Sequence, residues 1–168
     1  LKVLTMPDHD ILATLVPMWK RDWEDGLKIK LNIESLEFNT IVDYVVYNSD
    51  ANVDKWNTFF LATTMNTPDP HVMYPEFHST HIGSGKDNTG RYRNETVDRI
   101  FDEAKAIFDI AEAKKKYQEA AKIIADEVPL IPVYANTYFD LYSKKLQNFK
   151  TSSLYDWAAA MKDATVAG

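Results

Sequence analysis

Cysteine is absent from all 168 residues, which removes thiol nucleophiles, thiolate metal sites and disulfides together. No apolar run approaches the roughly 20 residues that a membrane-spanning helix needs. The start of the chain also lacks the charged region, apolar core and cleavage site of a secretory leader. Basic surface is scarce: the net charge is -6 and the pI near 5.2. Only Lys114-Lys115-Lys116 and Lys144-Lys145 form basic runs, and these read as solvated faces, so nucleic acid is not an expected partner. Serines are few, and Ser79, two residues before His81, has no nucleophile-elbow glycines around it. Carboxylates are plentiful but fall on helix surfaces, where solvation and i,i+4 pairing account for them. No catalytic residue is assigned, no cofactor is expected, and the chain reads as a binding protein rather than an enzyme. There is no initiator methionine, and Leu1-Lys2-Val3-Leu4 is already strand-like. The sequence reads as a piece of something longer.

What is present suffices for one soluble globular domain, since 45% of the residues are hydrophobic. Leu1 to Met6 predicts a strand, and Pro7-Asp8-His9-Asp10 a turn that caps a helix. The helix carries Ile11, Leu12, Leu15, Val16, Trp19 and Trp23 on one face, with Pro17 interrupting it and Gly26 ending it in a positive-φ conformation. Leu27, Ile29, Leu31 and Ile33 alternate with polar residues and predict a half-wet strand. Asn39 is expected to cap a second helix through Asn48, with Ile41, Val42, Val45 and Val46 inward. Its β-branched residues require tertiary support. Trp56, Phe59, Phe60 and Leu61 predict a third strand buried on both faces. Strands joined by helices of this length pair in parallel through right-handed crossovers. The fold class is therefore α/β: an open mixed sheet with a βαβαβ start in order 2-1-3, and helices packed on its faces. Residues 71–93 read as an irregular surface loop with one helical turn near Tyr74. Asn94 caps a helix with a stripe of Val97, Ile100, Phe101, Ala104, Ile107 and Phe108. Asp109 and Glu112 form a capping box for another helix, which buries Ala113, Tyr117, Ala120, Ala121 and Ile124 and stops at Pro129. Leu130 to Tyr134 and Thr137 to Tyr142 predict two strands, Pro132 placing the first at an edge or irregular position. After Asn148 the tail weakens, with Trp157 a candidate to dock it.

Ligands of open α/β sheets bind outside the carboxyl ends of the strands, near the switch in strand order. Thr63, Thr64, Met65, Asn66 and Thr67 leave the third strand at such an end, on a loop rooted in a buried strand. A second cluster is His71, Glu76, His78 and His81, three of the four histidines within eleven residues. Imidazole and carboxylate suit nickel, zinc or copper, although the spacing fits no closed zinc pattern. Tyr44, Tyr47, Trp56, Tyr74, Tyr134 and Tyr138 are candidate pocket walls, with burial in the core the ordinary alternative. Gly83-Ser84-Gly85-Lys86 lacks both the spacing and the preceding strand of a phosphate loop.

Several segments, in order, resemble the C-terminal lobe of the family 5 extracellular solute-binding proteins, the peptide and nickel receptors of ABC importers. Gly26-Leu27-Lys28-Ile29-Lys30-Leu31 is similar to the family's strand entry, and Asp69-Pro70 to its Asp-Pro after the third strand. Arg91-Tyr92-Arg93-Asn94-Glu95-Thr96-Val97-Asp98 is similar to its helix start. Tyr117-Gln118-Glu119-Ala120-Ala121-Lys122-Ile123-Ile124, followed by Val128-Pro129-Leu130-Ile131-Pro132-Val133-Tyr134, carries the resemblance furthest. It implies a periplasmic-binding-protein type II-like lobe over residues 1–150, with 151–168 an extension toward a missing N-terminal lobe. It further implies a two-lobed lipoprotein outside the cytoplasmic membrane that closes on a small solute by hinge motion and hands it to a permease. The implied ligand residues are Thr63, Thr64, Met65, Asn66, Thr67 and Tyr74. Peptide receptors of the family carry Trp-x-x-Asp-x-x-Asp-Pro, whose Trp and first Asp correspond here to Thr63 and Asn66, so capture of a peptide ammonium by that aspartate loses its charge. Nickel receptors share Asp69-Pro70-His71 and use a later histidine, close to His81. Oligosaccharides are a third ligand class that amides and aromatic walls suit.

Overall fold

The alternation of Val3 and Leu4 decides the architecture, because one strand must bury both of its faces. In the computed structural model, which describes residues 1–63, 69–135, 139, 141–150 and 160–167, that strand is β1, Lys2–Thr5. It is the middle of a three-stranded parallel sheet, flanked by β2, Asn32–Ser35, and β3, Thr58–Phe59. The order is 2-1-3, as expected. Val3 packs with Leu12, Val16, Leu31 and Phe60 on one face, while Leu4 packs with Ile41, Val45 and Trp56 on the other. Trp56 and Phe60 thus bury opposite sides of the third strand.

Helix α1, Asp10–Gly26, covers the first face. The His9 imidazole caps it by accepting the Leu12 N–H at 3.4 Å. The helix runs unbroken through Pro17, so the expected interruption is absent. Pro17 is solvent-exposed, so Pro17→Ala loses no buried packing while restoring an N–H inside the helix. We expect it to raise the unfolding free energy by about 1–2 kcal/mol, after allowance for the looser unfolded chain. A fall in the urea midpoint at constant slope would show instead that the packing of α1 depends on the proline.

Two expectations at the end of α1 need correction. Gly26 is the last helical residue, and the positive φ of 57° belongs to Lys28. The strand expected from Leu27 begins only at Asn32. Before that point the donors turn back to α1: the Ile29 N–H bonds Trp23 O at 3.0 Å and the Leu31 N–H bonds Glu24 Oε1 at 3.0 Å. The second crossover is α2, Phe38–Val42, continued by a π-helical turn over Asp43–Tyr47. Asn39 lies inside α2 and does not cap it; Glu37 holds the cap position without a side-chain bond. Ile41 and Val45 are fully buried against the sheet, the tertiary support that the β-branched segment needs.

The remaining helices form their own layer. The 71–93 segment is more ordered than expected, containing α3, Met73–Phe77, two 3-10 turns, and the buried residues Phe77, His78 and Asn88. Helix α4, Glu95–Lys105, is capped by Asn94, and α5, Ile110–Glu127, by Asp109 through the Glu112 N–H. Val97, Ile100, Phe101 and Ala104 pack against Tyr117, Ala120 and Ile124. Phe108, expected in that stripe, is fully exposed because α4 ends before it. Val128 takes the left-handed conformation at φ 49° and ends α5.

No strand forms over Leu130–Tyr134. Pro129 and Pro132 supply no N–H there, and Ile131 and Tyr134 stay about half exposed. The described residues of the second expected strand, Phe139, Leu141 and Tyr142, are also outside any strand; Thr137, Tyr138 and Asp140 lie outside the described residues. The tail instead returns as a short antiparallel pair, β4, Leu146–Gln147, with β5, Thr165–Val166. Trp157 is outside the described residues. No helix among those described is long and apolar enough to cross a membrane.

Candidate functional site

The third strand delivers Leu61, Ala62 and Thr63 to the carboxyl edge of the sheet, where they line a cavity of about 480 Å³. Its apolar walls come from α1 and the sheet: Trp19 stacks on Phe60 with centroids 5.0 Å apart and on Trp23 at 6.4 Å. Ile131 and Val133 contribute further apolar wall. At the polar end, the Thr63 hydroxyl donates to Glu76 Oε1 at 2.7 Å. Thr63 is therefore at the predicted edge, with its side chain engaged by α3. Thr64, Met65, Asn66 and Thr67 lie outside the described residues.

Behind this edge a shallow recess is lined by Asp69, His71, Tyr74 and His81. Three of the residues singled out in the sequence thus meet. The Asp69 carboxylate accepts the His71 N–H at 2.9 Å and starts a 3-10 turn. His71 Nδ1 lies 2.8 Å from the Tyr117 hydroxyl, whose pKa is pushed up by burial and then by the nearby Asp69 carboxylate. Tyr74 is stacked between His71 and His78, with centroids at 5.1 and 4.3 Å, and meets His81 edge-on at 5.5 Å. Its hydroxyl donates to Asp102 at 3.2 Å, and Lys105 lies 4.8 Å above the ring. A 2.7 Å bond from Lys105, seconded by Tyr74, holds the Asp102 carboxyl below its ordinary range; the same bond raises Lys105.

The histidine cluster divides into different roles. His78 is buried and belongs to the framework, its Nδ1 accepting the Thr80 N–H at 3.2 Å. Its Nε2 has no hydrogen-bond partner among the described residues and sits 3.7 Å from an Asp102 carboxylate oxygen. Glu76 accepts the Thr63 hydroxyl and lines the cavity. Among the described residues no three His, Asp or Glu side chains are placed to hold a metal ion.

The other candidates separate in the same way. Trp56 lines the cavity and Tyr74 the recess; Tyr44 packs against the sheet, Tyr47 is exposed, and Tyr134 bonds His9 through its hydroxyl. Tyr138 lies outside the described residues. Gly83-Ser84-Gly85-Lys86 is tied to an acid: Asp50 accepts the Ser84 N–H at 3.0 Å and pairs with Arg91 at 2.8 Å. The Ser84 N–H bond, followed by Arg91, keeps the Asp50 carboxyl below its ordinary value. Sequence reasoning missed Glu76 as an acid of the cavity and the Trp19–Trp23 pair as its wall. The apolar periodicity of α1 marks those tryptophans as core, and only the sheet's position shows that they border a void.

No family model matches the chain. By sequence it is similar to the periplasmic murein peptide-binding protein MppA of Escherichia coli, 22% identical over 155 residues. That match covers 92% of this chain and 26% of MppA. The structure of the Escherichia coli murein tripeptide binding protein MppA superposes with a TM-score of 0.72 at 15% identity, over 100% of this chain and 31% of that one. The oligopeptide-binding protein AppA of Bacillus subtilis, solved with a nonapeptide, gives 0.72 at 17% identity over 99% and 31%. NikA of Staphylococcus aureus, solved with Ni(L-His)2, gives 0.63 at 17% identity over 93% and 32%. The chain spans about a quarter to a third of the length of each.

Proposed function

Because this chain has the fold of a lobe of the family 5 extracellular solute-binding proteins, we propose that it is the solute-reading lobe of an ABC importer's receptor. The observation that carries this reading is the cavity lined by Thr63 at the carboxyl edge of a 2-1-3 parallel sheet. In this reading Thr63 to Thr67 and Tyr74 touch the solute. A second lobe closes over it, and a permease receives it at the outer face of the cytoplasmic membrane, where a lipid anchor holds the receptor. The solute is peptide-like, in keeping with relatives named for murein peptides and oligopeptides. The recess formed by Asp69, His71, Tyr74 and His81 favours a second reading, a nickel chelate, for which His71 and His81 supply the imidazoles.

A thermal-shift panel on the protein at its natural length tests both. Tripeptides, an oligosaccharide and a nickel–histidine chelate are each added at saturating concentration, where a ligand bound at 100 times its Kd stabilises by about 2.7 kcal/mol. The expected result is a shift with peptides. A chelate shift lost in His71→Ala and His81→Ala would favour the second reading. A folded protein unmoved by the whole panel would end the receptor reading.

A further inference from the structure

Several charges of the helical layer are paired within the chain: Arg99 and Lys116 with Glu103, and Lys105 with Asp102 at 2.7 Å. The turn between α4 and α5 is different. Phe108 is fully exposed at 102% and Ile110 follows at 85%, on either side of Asp109, and the small residues Ala106 and Ala111 are exposed beside them. Helix α4 ends at Lys105, and the Asp109 carboxylate caps α5 by accepting the Glu112 N–H at 2.8 Å, so the chain reverses at Phe108 and leaves its ring outside. Two large apolar side chains on a convex tip enclose no solute. Another macromolecule can cover them.

Charge selects that macromolecule. Glu112 in the first turn of α5, and Lys114 and Lys115 in the second, are exposed and form no ion pair among the described residues. Over residues 106–115 the acids Asp109 and Glu112 balance Lys114 and Lys115, so the tip has no net pull on an anionic bilayer or a nucleic acid. The order of the signs matters instead, acid turn first and basic turn second. When two such helix ends meet antiparallel about a two-fold axis, the first turn of each lies against the second turn of the other, and opposite charges meet twice. The tip complements itself.

We propose that the α4–α5 tip is an interface between two copies of this chain, with Phe108 and Ile110 as its apolar centre and Glu112 facing Lys114 and Lys115 of the other copy. A contact limited to two short turns per copy falls below the roughly 1,200 Å² of stable complexes, so the dimer is weak and reversible, with a dissociation constant on the order of 0.1 mM. The proposal is independent of what the cavity binds.

Sedimentation equilibrium of the protein at its natural length, over about 5 to 500 μM, brackets that constant. The unaltered protein should pass from monomer to dimer across the series. Phe108→Ser should weaken association about tenfold or more without lowering the melting temperature, because the exposed ring has no buried contacts to lose. Glu112→Lys alone, and Lys114→Glu with Lys115→Glu, should each weaken it about fivefold by setting like charges opposite one another. The variant with all three substitutions should regain most of that loss, since exchanging the signs of a self-pairing surface restores its complementarity. A monomer at the highest concentration, association unaltered by Phe108→Ser, or a triple variant no better than its parents would each overturn the inference. So would binding of a monomeric protein to phosphatidylglycerol vesicles that Phe108→Ser abolishes, which would assign the tip to a membrane.

Discussion

Phe101→Ala is expected to lower the unfolding free energy by about 3–5 kcal/mol. Phe101 is completely buried at the centre of the helical layer, with the Tyr74 ring 5.9 Å and the Tyr117 ring 6.0 Å from its own. Truncation removes the apolar contacts and leaves a void whose walls are held by three helices, so collapse around it is limited. Against the 5–15 kcal/mol typical of whole domains, that loss is a large fraction. It should register in urea unfolding, and in hydrogen exchange as faster exchange over α4 and α5. Tyr74 would lose one of its supports, and the stack it makes with His71 and His78 should loosen with it. Phe101→Leu keeps most of the volume and is expected to cost far less. A loss below about 1 kcal/mol for Phe101→Ala would mean that this layer is not packed as described.

Asn88→Ala is expected to cost about 3 kcal/mol although only a small polar side chain is removed. Asn88 is buried, and each of its amide atoms is used. Its Nδ2 donates to His78 O at 3.2 Å and to Tyr92 O at 2.9 Å, and its Oδ1 accepts the Tyr92 N–H at 2.9 Å. His78 O keeps a second partner in the His81 N–H, so the cost concentrates on Tyr92, whose N–H and carbonyl both lose their partner here. Asn88→Asp separates the two halves, since a carboxylate still accepts from Tyr92 but cannot donate to either carbonyl. We expect it to destabilise as well, through a charge placed at a buried position. A urea midpoint unchanged by Asn88→Ala would contradict the ordered 78–92 segment described above.

That segment marks where the sequence stops being informative. The turns around His78, Asn88 and Tyr92 depend on three bonds from one asparagine, and no local pattern announces them; glycines and polar residues there predict a loose loop. The parallel sheet was legible for the opposite reason. Its parallel pairing follows from crossover length, and the both-faced burial of the third strand from the neighbouring apolar residues Phe59, Phe60 and Leu61. Helices α4 and α5 were legible from caps and stripes, except at Phe108, where the stripe continues past the point at which the chain turns. Alternation from Leu27 to Ile33 misplaced β2 because Leu31 is buried against α1 before any pairing with β1 begins. At Leu130 to Tyr134 the apolar residues invite a strand, but two prolines withhold donors. Of the site, Thr63 and the His71–Tyr74–His81 group were legible as positions on one loop system. Glu76 was legible only as a neighbour of histidines, and its bond to Thr63 across 13 residues of sequence is a tertiary fact.

In the proposed receptor a solute is read at the carboxyl edge of β3 and in the cavity beside it. Hydrogen exchange of the backbone amides, with and without the solute that most raises the melting temperature, tests it most directly. Protection should gather over residues 58–63 and 74–77 and leave the exposed α4–α5 turn at 106–110 unchanged. Protection confined to that turn, or found nowhere on this lobe while the solute still stabilises the protein, would contradict the account.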